Sequence, residues 1–270
     1  MIKGAVFNLV LLTALLVTGS PVTAALSATV QKVEVKGATF HLTLDGGQVM
    51  AQDQLPGIVL VIGDGSGQQR RVRIDAVEAD PKDPAGEVML YAFSAQDAAS
   101  GEWRNLCEPD PAGQRLGFPL TGAFTSDGQY VATPGRFFVT CTSGAEGKCV
   151  RFGYKPWRQT PTAGSLAPYY QACVRMVRAD YCGDGVGHTR NGTLIDLFDR
   201  VGIQQDESAP GMTFEAAWGP DGAVCVRHTR LTDVLALDAL AKQCPRLAGH
   251  LGDVCEETTP ALLFNRSFGH

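Results

Sequence analysis

The sequence is short of several features, and each shortage removes a class of function. Beyond residue 17 no apolar run approaches the roughly 20 residues that a membrane-spanning helix needs, so no span is expected there. The charged fraction is ordinary, at 19% of residues, but positive charge is the lesser share: 23 Lys and Arg against 28 Asp and Glu, a net charge of −5. An acidic chain without a basic cluster offers no footprint for nucleic acid or an anionic membrane. The C-x₂-C pairs of zinc sites are missing, and Cys225 with His228 is the only close Cys/His spacing. The G-x-S-x-G nucleophile elbow is missing too, because Ser66 has Asp64 where glycine is needed. No internal repeat or low-complexity segment is present. No metal and no cofactor are expected.

What the chain does contain starts with a targeting signal. Lys3 is the only charge before an apolar run from Ala5 to Val17, and Val22-Thr23-Ala24 has the small-residue pattern of a signal-peptidase site. Cleavage is expected after Ala24, with Ala28 as the alternative. Loss of residues 1–24 removes one lysine and no acid, which takes the net charge from −5 to −6. All eight cysteines follow, at 107, 141, 149, 173, 182, 225, 244 and 255. An even number in an exported chain reads as four disulfides. Cys173 and Cys182, if they share a helix and its cap, stand more than about 10 Å apart at 1.5 Å per residue. A disulfide needs Cα atoms within about 7 Å, so each should pair elsewhere. Cys244 and Cys255 could close on each other.

Residues 29–100 read as β structure, with near alternation in Thr39–Leu44 and in the flanks of Gly63-Asp-Gly-Ser-Gly67. That glycine-rich tip opens no helix, so it reads as a hairpin turn rather than a phosphate loop. Gly135–Cys141 and Cys149–Tyr154 read as strands about a polar loop. A helix is expected from an N-cap at Ser165, with an apolar stripe of Leu166, Tyr169, Tyr170, Cys173 and Val177 and a terminator at Gly183. Met212–Trp218 and Ala223–Thr229 form a hairpin about Gly219-Pro-Asp-Gly222. A second helix, capped by Thr232, carries Val234, Leu237, Leu240 and Cys244. Thr193–Phe198 reads as a short strand, with a helix as the alternative, and the C-terminal remainder as loop around Leu262-Leu-Phe264.

Arg178-Ala-Asp-Tyr-Cys-Gly-Asp-Gly185 resembles the signature of the ADYC-domain proteins. Phe138-Val-Thr-Cys141, Gly153-Tyr-Lys-Pro-Trp157, Asn191-Gly-Thr193, the Cys225/His228 strand and Cys244-Pro245 are similar to the segments around it. The likeness covers roughly 135–265 and none of the N-terminal β region. It implies a bacterial exported protein and supplies no activity.

Asp180, Asp184 and His188 lie within nine residues, the spacing of an acid/base pair or a metal-ligand trio. The bland alternative pairs Asp180 with Arg175 or Arg178, puts Tyr181 in the core and uses Asp184 in an Asx turn. Tyr154 and Trp157 could form an aromatic ledge for glycan or peptide, with Tyr181 a further contact. The expected organisation is a signal peptide (1–24), a β-rich domain (25–134) and an ADYC-like, disulfide-stapled domain (135–270). The fold class is α+β, the second domain placing two helices on a small antiparallel sheet. The expected function is an exported, non-catalytic binding or structural module, periplasmic or extracellular, with an unknown envelope or extracellular ligand (protein or glycan). The alternative is a secreted hydrolase using Asp180, Asp184 and His188.

Overall fold

A computed structural model describes residues 3–4, 30–63 and 67–269. The rest of the expected signal peptide, both cleavage sites and the tip of the 63–67 turn lie outside the described residues. The fold is α+β, mostly strand, in two compact units. One holds the chain up to Ala123 and takes back Ala132–Ser143. The other holds Phe124–Val131 and Gly144 onward. The expected boundary at 134/135 would have placed Phe137–Cys141 in the second domain; that strand belongs to the first unit.

In the first unit, β1 (Val30–Lys36), β2 (Thr39–Leu44) and β3 (Val49–Ala51) form a small antiparallel sheet. A larger sheet holds β4 (Val59–Gly63), β5 (Gln69–Ala79), β6 (Met89–Gln96), β7 (Trp103–Asn105), β8 (Gly117–Thr121) and β9 (Phe137–Cys141). Its order is β4-β5-β6-β8-β9, with β7 also on β6 and Lys3–Gly4 paired to β9. Alternation explains the burial: Leu60, Ile62, Val72 and Ile74 face inward while their neighbours face out. Phe40 carries the small sheet onto the large one, with edge-on rings at 5.5 Å from Tyr91 and 5.3 Å from Phe137. Its backbone N–H donates to the Tyr91 hydroxyl at 3.0 Å, which lets that phenol be buried. Cys107 and Cys141 close the unit, Cα atoms 5.5 Å apart.

The second unit is built on α2 (Ala167–Arg178), after a short α1 (Ala145–Arg151). The sheet beneath is antiparallel in the order β10-β13-β11-β12, from β10 (Asp196–Asp199), β11 (Thr213–Gly219), β12 (Gly222–Val226) and β13 (Leu263–Ser267). The remaining helix, α3, spans Leu237–Gln243. The expected stripe of α2 is buried at Tyr169, Tyr170 and Cys173, and the helix also buries Gln171 and Arg175. These two polar residues have work to do. The Gln171 amide accepts from Tyr130 N–H at 2.7 Å and donates to Gly128 O at 3.0 Å. The 124–131 hairpin is thereby held in this unit.

Four expectations need correction. Cys149–Tyr154 begins inside helix α1 rather than forming a strand; a six-residue segment is too short for its apolar positions to separate the two periods. Two helices become three. Thr232 caps nothing: α3 starts after Ala236, and Val234 is exposed. The C-terminal run is no loop, because Leu263–Ser267 pairs with both β10 and β11.

All six tyrosines carry raised phenol pKa values, each chiefly through burial, with Tyr91 and Tyr130 pushed up to about 12. An acid raised in the folded state contributes stability that is complete below the unfolded value of about 10 and lost as pH climbs past it toward 12. Phenolate absorbance of the native protein should therefore rise only above pH 10, together with loss of near-UV circular dichroism. In denaturant the midpoint should return to about 10. Phenolate formed at pH 10 by a protein with an unchanged spectrum would contradict this.

Candidate functional site

The site is the segment that leaves α2. The left-handed residue is Ala179 (φ 51°), not Gly183 as expected. Its N–H donates to Met176 O at 2.9 Å, and the N–H of Asp180 to Arg175 O at 2.9 Å, closing the last turn. Alanine there holds a conformation that disfavours a Cβ, and it is fully buried, so packing outweighs the local cost. Gly183 is required for another reason. A Cβ on it would overlap Asp221 O, since the segment crosses the β11–β12 turn directly.

Asp180 is buried and saturated. Oδ1 accepts from Gly183 N (2.9 Å) and Asp184 N (3.2 Å). Oδ2 accepts from Gly185 N (3.0 Å) and Arg175 Nη1 (2.5 Å). Of the two cations weighed for it, Arg175 is the partner; Arg178 turns to Gly185 O at 2.6 Å. Asp184 accepts Val186 N–H at 2.9 Å, the Asx turn read from the sequence. The half-buried His188 stacks with Tyr181, ring centres 6.3 Å apart, and Trp218 also stacks with Tyr181, at 5.3 Å. Thus the members of the trio, Asp180, Asp184 and His188, each have a local structural contact. Each member closes a turn or a ring stack.

Tyr181 is buried as well, and its hydroxyl joins two residues that the sequence reading missed. It donates to Glu215 Oε1 at 3.0 Å and accepts Arg230 N–H at 2.8 Å. Arg230 binds Glu215 through Nε and Nη2, both at 3.0 Å, and also donates to Met176 O (2.7 Å) and Val177 O (3.0 Å) at the end of α2. This bidentate pair is wholly buried. One signal pointed to Glu215, a lone acid in the apolar strand Phe214–Trp218; nothing pointed to Arg230. Burial and the nearby Glu215 carboxylate push the Tyr181 phenol well up, so it remains a neutral donor.

Cys182 pairs with Cys244, Cα atoms 5.5 Å apart. Arg246, two residues on from Cys244, donates to Tyr181 O (2.5 Å), Cys182 O (3.1 Å) and Ala223 O (2.7 Å). Its pKa is lowered, chiefly by burial. Cys149–Cys173 ties α1 to α2, and Cys225–Cys255 ties β12 to the C-terminal segment. Cys173 and Cys182 have separate partners, as the helix rise required. The suggested Cys244–Cys255 bridge is wrong, since both cysteines reach back into the sheet and the signature.

The aromatic ledge also needs correction. Tyr154 is buried, donates to Asp199 Oδ2 at 2.6 Å and stacks on Tyr169 at 6.3 Å, so it presents no surface. Tyr181 is likewise inaccessible, and Trp157 is half-buried. What the segment does expose is the loop after the signature, where Val186 (53%) and Leu194 (65%) stand in solvent. Arg190 pairs with Asp233 across it at 2.6 Å.

A family model described as the ADYC domain matches residues 52–232, two thirds of the chain. The chain belongs to the ADYC-domain family. No curated protein and no solved structure matches it. The ADYC match starts far upstream of the expected 135 and stops before Cys244, so it includes most of the larger sheet in the first unit. In this ADYC chain the four signature residues are architectural: Ala179 turns the chain, Asp180 holds the turn, Tyr181 joins helix to sheet and Cys182 tethers the C-terminal region. Among the described residues no helix is long and apolar enough to cross a membrane, and all eight cysteines are in disulfides, consistent with export.

Proposed function

We propose that this ADYC protein is an exported, non-catalytic binding or structural module of the cell envelope or secreted fraction, placed in the periplasm or outside the cell by removal of residues 1–24. One observation carries the reading. The polar groups of the signature are engaged in shaping residues 183–186, while the loop that continues from them presents exposed apolar side chains at Val186 and Leu194. A rigid platform under an exposed loop suits recognition, because little conformational entropy is lost when a partner docks. Asp180 is buried with both carboxylate oxygens engaged, which takes one of the two carboxylates from the hydrolase reading.

The test is co-sedimentation of the mature protein with washed envelope fragments of its own bacterium. Retention is expected, falling at least about tenfold in the Val186→Asp/Leu194→Asp double variant while its unfolding midpoint stays unchanged. Retention that ignores these substitutions, or ester or glycoside turnover abolished by His188→Ala, would overturn the proposal.

A further inference from the structure

The outer face of the large sheet in the first unit carries arginines, although the chain as a whole is acidic. Arg71 and Arg73 of β5 share that face, Arg73 paired with Asp75 at 2.5 Å, while Arg70 alternates to the other side and reaches the cleft described below; the sequence reading passed over this concentration as ordinary strand. Inter-strand pairing sets the Arg71 side chain beside Gln96 of β6, and Gln96 opposite Trp103 of β7. Arg71 Nη1 donates to Gln96 Oε1 at 2.9 Å. The Arg73 and Arg71 guanidiniums lie over the Trp103 ring, 4.6 and 5.8 Å from its centre. Trp103 therefore holds the arginines in place, and its ring face is already covered.

Beside this row the surface opens into a cleft of about 540 Å³, lined by Gln68, Gln69, Arg70, Arg71, Gln96 and Gly101 among others. The volume lies within the usual range of small-ligand sites, about 300–1,000 Å³. Arg70 is exposed and has no partner among the described residues. The one acid in the lining, Asp97, is turned onto its own loop, accepting from Ala99 N (3.0 Å), Ser100 N (2.8 Å) and Ser100 Oγ (3.0 Å). Those bonds, Ser100's first, hold its carboxyl below the usual range.

The lining selects a ligand class. Glutamine amides donate and accept at once, which suits vicinal hydroxyls, and a guanidinium fork suits a carboxylate. Six of the eight lining side chains are polar, so a wholly apolar ligand would leave their donors and acceptors unpaired. A nucleic acid strand would need an open aromatic face for base stacking, and Trp103 does not offer one. We propose that this cleft binds an acidic saccharide, with the carboxylate on Arg70 and Arg71 and the ring hydroxyls on Gln69 and the remaining amide donor of Gln96. This goes beyond the loop at 184–195 and stands on different residues, so either reading can fail alone.

The probe is a galacturonic acid tetrasaccharide titrated calorimetrically into the mature protein, with its carboxyl-reduced counterpart and inorganic sulfate as comparisons. Binding of the acidic tetrasaccharide is expected, weakened about tenfold or more in Arg70→Gln. Gln69→Ala should weaken it less, and Val186→Asp/Leu194→Asp not at all. Arg70 and Gln69 are exposed, so both variants should keep the wild-type unfolding midpoint. No binding, equal binding of the reduced tetrasaccharide, equal binding of sulfate, or an Arg70→Gln protein that binds like wild type would each overturn the proposal.

Discussion

Asp180→Ala should destabilise the second unit by about 3–5 kcal/mol, read as a fall in the urea midpoint at unchanged slope. The substitution strands the buried Arg175 guanidinium and removes the acceptor for three backbone N–H groups, at Gly183, Asp184 and Gly185. Each deserted buried donor costs about 1–3 kcal/mol, reduced where water can enter the half-buried loop. Asp180→Asn keeps the shape but must aim an NH₂ at donors, so it should recover only part of the loss. Adding Arg175→Met to Asp180→Ala should recover more, because no charge is then left unpaired, although Arg175 also donates to Asp127 O at 2.6 Å. Full stability in Asp180→Ala, with some binding or turnover abolished, would place Asp180 in a functional site and end the architectural account.

The second large effect belongs to Glu215 and Arg230. Glu215→Leu and Arg230→Met should each cost about 3–5 kcal/mol, since each leaves a charge buried without its counter-ion. Arg230→Met also frees the Met176 and Val177 carbonyls at the end of α2. The double variant should cost clearly less than the two losses added together, because neither charge remains; couplings for residues in one network run to about 3 kcal/mol. Additivity within about 0.5 kcal/mol would mean that the pair does not act as a unit. Tyr181→Phe is a milder probe of the same network, removing one donor to Glu215 and one acceptor for the Arg230 N–H.

Both effects arise at residues with unequal traces in the sequence. Asp180 announced itself, because a carboxylate in the last turn of a helix opposes the helix dipole and asks for a cation nearby. Arg175, one of the two candidates named, proved to be that cation. Arg230 could not be found in this way. It lies 53 residues from Val177 and 15 from Glu215, and no local period links them. The aromatic ledge failed for a related reason. Tyr154 and Trp157 lie in a polar corner, but whether a tyrosine there faces water depends on Asp199 arriving from β10 to accept its hydroxyl.

By itself the sequence determined what local pattern controls. Alternation placed the strands around Gly63 and in β1 and β2. The Pro220-Asp221 pair made the β11–β12 turn, and the 3.6-residue stripe made α2. It also determined that the cysteines come in an even number and that Cys173 and Cys182 do not pair, because helix rise keeps them apart. Only the tertiary structure decided which cysteines meet, that Cys149 sits on a helix, and that the signature faces inward. Those outcomes depend on contacts between distant segments, where burial and hydrogen-bond satisfaction act on groups that no short window brings together.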